Sequence, residues 1–233
     1  MTRHFTSDVF KVLFIATSLT AVVGCIHVNE HLILKPDGSA VVHLHYSVPI
    51  RWLDELERSQ RQIDRWQGRQ SRPGDPVHWF FSRNAAETTI EQNGFHLEAF
   101  RTYERDGRRH ADLRYTSTDV KRLFQTGLAG DFLMNRQADG KVRLDAVLLS
   151  DPGTNGEEVL GRLVAGMRLR LTVTTPGPIV SSTAHQVENQ SATWVFDTKS
   201  SRGFLREQPR ISVTYRSREE TDAARDPEEL TSP

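Results

Sequence analysis

Residues Ile26–Pro49, IHVNEHLILKPDGSAVVHLHYSVP, predict a β-hairpin that either joins the main sheet of the protein or forms a separate one. The turn lies within Lys35–Ser39 (KPDGS). Pro36 suits the second position of a type I turn, and Gly38 suits the left-handed position of a G1 bulge. With this turn, Leu32 pairs with Val42. A two-residue turn would shift the register by one and mix the two faces of the hairpin.

The predicted register separates apolar from polar side chains. One face carries Val28, Leu32, Leu34, Val42, Leu44, Tyr46 and Val48, together with Glu30. The other face carries His27, Asn29, His31, Lys35, Ser39, His43 and His45. We therefore expect one face of the hairpin to pack on a core and the other to face solvent.

Four histidines share the polar face, and the register places His31 directly opposite His43. Imidazoles at this spacing can bind zinc or copper, and they titrate near neutral pH. Neither a cysteine nor a carboxylate completes an obvious ligand set around His31, His43 and His45. We therefore expect a solvated sheet face here, with a metal site as the alternative.

Helical spacing follows the hairpin. Apolar residues at this spacing predict a helix over Ile50–Gln67. After the turn-rich linker Gly68–Pro76, a second helix is expected over about Pro76–Gln92, with Asp75 as its N-cap. Two shorter helices are also expected, one capped by Thr118 or Asp119 and ending at Phe124, the other over Glu157–Val164.

Alternating strands joined by tight turns dominate the rest of the chain. Asp106-Gly107 and Asp139-Gly140 each predict a hairpin. The expected strands are Phe95–Glu104, Arg108–Thr116, Phe132–Arg136, Lys141–Leu149, Arg168–Thr174, Val180–His185, Thr193–Phe196 and Arg210–Tyr215. We predict an α+β domain over residues 25–216, a mainly antiparallel sheet with three or four helices packed on one face. The polar residues 217–233 are expected to be a disordered tail.

The segment Val12–Cys25, VLFIATSLTAVVGC, is typical of a bacterial lipoprotein signal peptide. It is uncharged, and it is shorter than the roughly 20 residues of a membrane-spanning helix. Its end resembles a lipobox, which implies lipidation of Cys25 and cleavage after Gly24, so that residues 1–24 are removed. Cys25 is the only cysteine of the chain, so it has no partner for an intramolecular disulfide. The residue after it is Ile26, not Asp, which resembles an outer-membrane address facing the periplasm.

The composition argues for a globular ectodomain. Charged residues make up 26% and hydrophobic residues 37% of the chain, and 30 basic residues balance 30 acidic ones. This balance gives no argument for nucleic acid as a partner. We expect the membrane to be contacted through the lipid on Cys25, and we expect no cofactor.

Several motifs together resemble the LppM-type bacterial lipoproteins. They are the lipidated cysteine, the strand–Pro-Asp-Gly–strand opening that ends in Ser47-Val48-Pro49, the block Thr175–Val180 (TPGPIV), and Ala192–Phe196 (ATWVF). The resemblance implies an envelope lipoprotein with an α+β ectodomain that is associated with binding envelope lipids or glycolipids. It supplies no catalytic residue.

The sequence contains no motif that supports an enzyme. A Gly-x-Ser-x-Gly elbow, a phosphate-binding loop and a His-Glu-x-x-His helix are all absent. The leading hypothesis is an ectodomain that binds an envelope lipid, glycolipid or other amphiphile between sheet and helices. Its expected wall residues are Trp79, Phe80, Phe81, Phe95 and Leu97. The alternative is a structural or assembly lipoprotein that binds a protein partner in the envelope.

Overall fold

Strands account for most of the residues that the structure describes. This structure is a computed structural model, and it describes residues 26–53, 81–147, 167–197 and 209–217. The strands are β1 (His27–Leu34), β2 (Ala40–Pro49), β3 (His96–Arg105), β4 (Arg108–Ser117), β5 (Leu133–Arg136), β6 (Lys141–Val147), β7 (Arg168–Thr174), β8 (Ile179–Ser182), β9 (Gln186–Glu188), β10 (Ser191–Asp197) and β11 (Arg210–Arg216). The helices are α1 (Arg83–Gln92) and α2 (Val120–Gln125), and residues 50–53 begin another.

The strands form two sheets. The large sheet has seven strands in the order β3-β4-β2-β1-β7-β10-β9, and the small sheet has four in the order β5-β6-β11-β8. The β1–β7 pair is parallel, whereas the other pairs are antiparallel. The opening hairpin therefore lies in the middle of the large sheet.

The hairpin has the predicted register. Leu32 pairs with Val42, and His31 pairs with His43. The amide of Gly38 donates to the carbonyl of Lys35, and the amide of Lys35 donates to the carbonyl of Ser39. Gly38 has a φ of 81°, which is the left-handed conformation that the bulge requires. The turn residues thus set the two faces of the hairpin, as expected.

The Asp-Gly turns were also predicted correctly. Asp106 and Gly107 join β3 to β4 with φ values of 51° and 66°, so both central residues are left-handed. This conformation matches the twist of antiparallel strands, and it explains why Gly follows Asp here. The turn at Gly140 joins β5 to β6.

The predicted fold class is wrong, because a second sheet takes the place of packed helices. The strands after α2 were expected to extend one antiparallel sheet; instead β5, β6, β8 and β11 pair among themselves. Alternation predicts a strand but not its partner, and that pairing decides the layer architecture. The parallel β1–β7 pair also makes the large sheet mixed. Among the described residues the protein is mostly β, with two sheets over one core.

The core lies where both sheets and both helices meet. The small sheet contributes Leu144 and Val213 from its middle strands, both fully buried. The large sheet contributes Leu32 and Trp194, and they belong to the same cluster of contacting side chains. Burial of apolar surface contributes roughly 25 cal/mol per Å² to the free energy of folding. The apolar side chains of this shared core therefore stabilise the contact between the two sheets.

Helix α1 begins later than predicted. Ser82, not Asp75, is its N-cap: the Ser82 hydroxyl accepts from the amide of Ala85. Phe81 lies in a turn before the helix. The short helix α2 begins at the predicted cap, Asp119, whose carboxylate accepts from the amides of Lys121 and Arg122.

The strand expected over Val180–His185 is broken after Ser182, and there the chain passes from one sheet to the other. The hydroxyl of Thr183 accepts from Trp194 Nε1 at 3.1 Å and from the amide of Ser212 at 3.0 Å. It also donates to the carbonyl of Arg210 at 3.1 Å. The chain then pairs as β9 beside β10. Thr183 therefore bonds to strands of both sheets.

Several predictions concern residues outside the described ranges. They include the signal peptide with Gly24 and Cys25, the helix beyond residue 53, the helix at 157–164 and the tail after residue 217. Within the part of the chain that is described, no helix has the length and apolar character to cross a membrane.

Candidate functional site

The outward face of the large sheet carries an unusual number of histidines. Strand alternation directs His31, His43, His45 and His110 to this side, opposite the core; we call it the histidine face. The rings of His31 and His43 lie 6.1 Å apart between centroids, and those of His45 and His110 lie 5.5 Å apart. The predicted pairing of His31 with His43 thus produces a real cluster of imidazoles.

An open cleft of about 620 Å³ lies on this face. We call it the histidine cleft. Its lining residues come from four adjacent strands; they are Asn29, Glu30, His31, His43, Leu44, His45, Asp112, Leu113, Arg170 and Thr172. Because these strands are central in the sheet, the cleft has a rigid floor.

His45 is oriented by a carboxylate. Its Nδ1 lies 2.5 Å from Oδ1 of Asp112, and Nη2 of Arg101 donates to Oδ2 of Asp112 at 2.9 Å. Burial opposes ionisation of Asp112, but the hydrogen bonds from His45 and Arg101 outweigh it and hold the pKa of Asp112 below its ordinary value. An ionised carboxylate only accepts, so Nδ1 of His45 carries the proton in this bond. In the neutral ring, the other nitrogen is therefore the hydrogen-bond acceptor.

His31 is held differently. Its Nε2 lies 2.8 Å from the hydroxyl of Thr174. Burial, and then repulsion from His43, lowers the pKa of His31 below that of an ordinary histidine. The pKa of His31 therefore depends on the charge of the neighbouring His43.

Arg170 is a cation of the cleft without a partner among the described residues. The two nearest arginines on this face are paired: Arg168 donates to Asp197 at 2.8 Å, and Arg114 lies 2.6 Å from Glu98. Its backbone pairs with β1 and β10, but no side-chain hydrogen bond or ion pair among the described residues involves Arg170. Its guanidinium is thus available to an anionic or polar group in the cleft.

His110 extends the cluster beneath an aromatic side chain. Its ring stacks on Tyr103 at 4.7 Å with an interplanar angle of 2°. Both ring nitrogens are inaccessible to solvent and have no hydrogen-bond partner within the described residues. Arg101 lies 4.8 Å above the Tyr103 ring, so the same arginine holds both Tyr103 and Asp112.

Glu30 lies on the strand between Asn29 and His31 but belongs to the core side. Its Oε1 is inaccessible to solvent and has no hydrogen-bond partner among the described residues. Burial raises the pKa of Glu30 to about 7. The carboxyl is therefore partly protonated at neutral pH, close behind the cleft.

The aromatic residues expected to line a ligand cavity lie elsewhere. Phe95 and Leu97 are buried in the core, and Phe81 packs on Tyr46 with ring centroids 5.0 Å apart. Trp79 and Phe80 lie outside the described residues. The described members thus contribute to core packing on the opposite side of the large sheet from the histidine cleft.

A metal site at His31, His43 and His45 was the alternative to a solvated face. In the described part of the chain, no group of three or more His, Cys, Asp or Glu side chains is arranged to hold a metal ion. The nearest neighbours of these histidines are instead Thr174, Asp112 and each other.

Sequence reasoning missed Asp112 and Arg170, the two cleft residues with formal charge on the histidine face. Asp112 pairs with His45 through the β2–β4 contact, and Arg170 pairs with Asn29 through the parallel β1–β7 contact. Alternation placed each on one face of its own strand, but nothing local indicated which strand would be its neighbour.

Comparisons with known proteins find a distant likeness among the solved structures. No protein-family model matches the chain, and no curated protein matches it. Among solved structures it is similar to the NMR structure of the folded domain of Mycobacterium tuberculosis LppM, with 15% sequence identity and a TM-score of 0.39. The match covers 82% of this chain and 89% of that chain. At this identity and TM-score the likeness is a distant one.

Proposed function

We propose that the protein is a lipid-anchored envelope protein whose non-catalytic ectodomain binds the polar part of an envelope lipid, glycolipid or other amphiphile in the histidine cleft. The observation that carries this proposal is the cleft itself, with a volume of about 620 Å³ and a lining of mostly polar residues whose surface is both polar and apolar. Ligand sites typically have volumes of about 300–1,000 Å³, with a few polar groups that fix orientation.

The polar groups of the cleft suit a headgroup. The Asn29 amide, the Thr172 hydroxyl and the Arg170 guanidinium come from the two adjacent strands β1 and β7. Val195 is the cross-strand partner of Arg170 and is 50% exposed, so it adds an apolar contact beside the cleft. Polar groups next to an exposed apolar side chain are what an amphiphile requires.

The described residues offer no nucleophile for catalysis by His45. Its side-chain hydrogen bond goes to Asp112, and no serine, threonine or cysteine of the described chain bonds to its ring. A nucleophile and its base must lie within hydrogen-bond reach of each other. For His45, this arrangement supports binding in preference to hydrolysis.

The anchor belongs to the same proposal. The lipobox-like segment that ends in Gly24-Cys25 supports an ectodomain that is held at the outer membrane and faces the periplasm. Two or three acyl chains anchor a protein stably, because each buried CH₂ contributes about 0.8 kcal/mol. In cells labelled with radioactive palmitate, we expect the protein to carry label and to lose it in Cys25→Ser. Label retained in that variant would contradict the anchor.

The binding proposal is tested by native mass spectrometry of the full lipoprotein, extracted from bacterial membranes in a mild detergent. We expect one amphiphile to co-purify per protein molecule. The variant Asn29→Trp fills the cleft from its floor and is expected to lose that ligand. The matched variant Gln186→Trp adds the same side chain to the edge strand β9, away from the cleft lining, and is expected to retain it.

Two results would contradict binding in the cleft. One is a mass equal to that of the lipoprotein alone, also after incubation with envelope extract. The other is equal ligand retention by Asn29→Trp and Gln186→Trp. Thermal unfolding of both variants controls for misfolding.

A second candidate function is supported by the strand edges. Three exposed large apolar side chains lie on edge strands: Leu133 of β5 (68% exposed), Val180 of β8 (48%) and Val187 of β9 (47%). Exposed apolar edges are favourable sites for a protein partner. A photo-crosslinking residue at position 133 that captures one discrete envelope protein in cells, where the same residue at Lys121 captures none, would favour an assembly role.

A further inference from the structure

The charge of the histidine cleft depends strongly on pH. The titratable and charged groups of its lining are Glu30, His31, His43, His45, Asp112 and Arg170. The neighbouring groups on the histidine face include His27 on β1, Arg101, Glu98 and Tyr103 on β3, His110 and Arg114 on β4, Arg168 on β7, and Asp197 on β10, which pairs with Arg168. Most of these neighbours are already paired with one another.

The negative charges near the cleft are balanced. The Asp112 carboxylate is shared by His45 and Arg101, and Glu98 is paired with Arg114. Above neutral pH, the buried Glu30 carboxylate offsets Arg170, the cation of the cleft lining whose side chain has no partner among the described residues. The cleft then has little net charge.

Acidification changes this balance in one direction. Histidine side chains become cationic between about pH 8 and pH 5. Over the same range Glu30 becomes neutral, because burial raises its pKa to about 7. His31 follows at lower pH, because burial and the charge on His43 lower its pKa. Acidification therefore makes the cleft more positive than Arg170 alone makes it.

We propose that the histidine cleft is a proton-gated oxyanion site, which binds a phosphate-like or sulfate-like group weakly above neutral pH and tightly in acid. Arg170 supplies the permanent charge, and His31 and His43 supply the charge that appears on acidification. The proposal rests on the cleft of the proposed function and adds the class of headgroup and its regulation. Through the gate, a pH difference across or along the envelope controls capture and release.

The test uses sulfate, whose charge is constant over this pH range, and the full lipoprotein in a neutral detergent. Isothermal titration at pH 7.5 and pH 5.5 is expected to show an affinity that rises by about tenfold or more, since each nearby unit charge changes the interaction by roughly a factor of ten. Titrations in two buffers of different ionisation enthalpy are expected to show proton uptake on binding.

The double variant His31→Gln/His43→Gln is expected to reduce the pH effect to about threefold or less. The matched variant His96→Gln removes an exposed histidine of β3 that does not line the cleft, and is expected to keep the full effect. Arg170→Gln is expected to weaken binding at both pH values. Equal affinity for sulfate at pH 7.5 and pH 5.5, or a full pH effect in the double variant, would contradict proton-gated binding.

Two further measurements identify the source of the oxyanion. Vesicles of phosphatidylcholine with phosphatidylglycerol present an anionic phosphodiester headgroup. Pure phosphatidylcholine vesicles present only a zwitterionic one, so sulfate added to them is the free anion. If the anionic vesicles displace sulfate, the site binds a lipid headgroup. If they do not displace it, the site binds a soluble oxyanion. Both outcomes are compatible with proton-gated binding. A co-purifying amphiphile that binds equally at both pH values would overturn the gate while leaving the proposed function intact.

Discussion

Glu30 is an acidic residue whose side chain lies in a buried, apolar environment. Its cross-strand partners are Leu44 on β2 and Leu171 on β7, so apolar side chains flank it on both sides. An unpaired carboxylate in such a place is costly, and protonation reduces that cost. The hairpin register predicted that Glu30 would face the core, and its buried, unpartnered Oε1 confirms this.

The predicted consequence is a stability that falls as pH rises. The pKa of Glu30 is raised from 4.5 to about 7, so folding favours its protonated form. Stability is fully retained below about pH 4.5 and is lost as the pH rises through 7. At 1.36 kcal/mol per pKa unit the full loss is about 3 kcal/mol. Urea unfolding at pH 5 and pH 8 is expected to show this loss in the wild type and not in Glu30→Leu.

A surface carboxylate provides the control for this prediction. Glu91 is exposed on α1, so Glu91→Leu is expected to keep the wild-type pH dependence. If Glu30→Leu keeps it as well, then some group other than Glu30 is responsible. The same experiment checks a premise of the proton-gated cleft, because Glu30 titrates there too.

At the level of elements, the connection from β7 to β8 packs unusually close to the end of β11. A Cβ on Gly177 would lie 2.1 Å from the carbonyl oxygen of Arg216, a distance that backbone atoms cannot accept. Nearby, the amide of Arg216 donates to the carbonyl of Pro178 at 3.0 Å. This contact joins the connection that leaves the large sheet to the small sheet.

Gly177→Ala is therefore expected to destabilise the protein through crowding. We expect the free energy of unfolding to fall by about 2–3 kcal/mol, the range of overpacked sites. Gly38→Ala is the comparison: a Cβ there meets nothing within 4 Å, and only the φ of 81° is unfavourable. It is expected to cost about 1 kcal/mol. Equal costs for the two variants in urea unfolding would contradict the crowding argument.

Elements defined by local signals were predictable from the sequence, and those defined by distant pairing were not. The turn at Gly38 fixed β1 against β2, and with it the facing pair His31 and His43. The β2–β4 and β1–β7 contacts instead join strands that are far apart in the chain. Asp112 and Arg170 could therefore not be predicted as cleft residues. For the same reason, the sequence predicted a single sheet with packed helices, whereas the structure has two sheets.

At the scale of the whole molecule, the two sheets are joined by their shared core and by the crossing at Thr183. The Thr183 hydroxyl uses its one hydrogen and accepts two hydrogen bonds, so its hydrogen-bonding capacity is filled. Its partners are Trp194 of β10 in the large sheet and Arg210 and Ser212 of β11 in the small sheet. Trp194 is 1% exposed, so no water can replace the lost acceptor at its indole nitrogen.

Thr183→Val preserves the shape of the side chain and removes these hydrogen bonds. It leaves the buried indole N–H of Trp194 unpaired, which is expected to lower the free energy of unfolding by about 2 kcal/mol. The exposed Thr102 of β3 provides a control, since Thr102→Val is expected to change stability by less than about 0.5 kcal/mol.

Amide hydrogen exchange then tests whether the sheets unfold together. If they form one cooperative unit, the slowest amides of β1 and β11 lose equal protection in Thr183→Val. Loss confined to β11 would show that the small sheet opens by itself, and that the large sheet with its histidine cleft can remain folded without it.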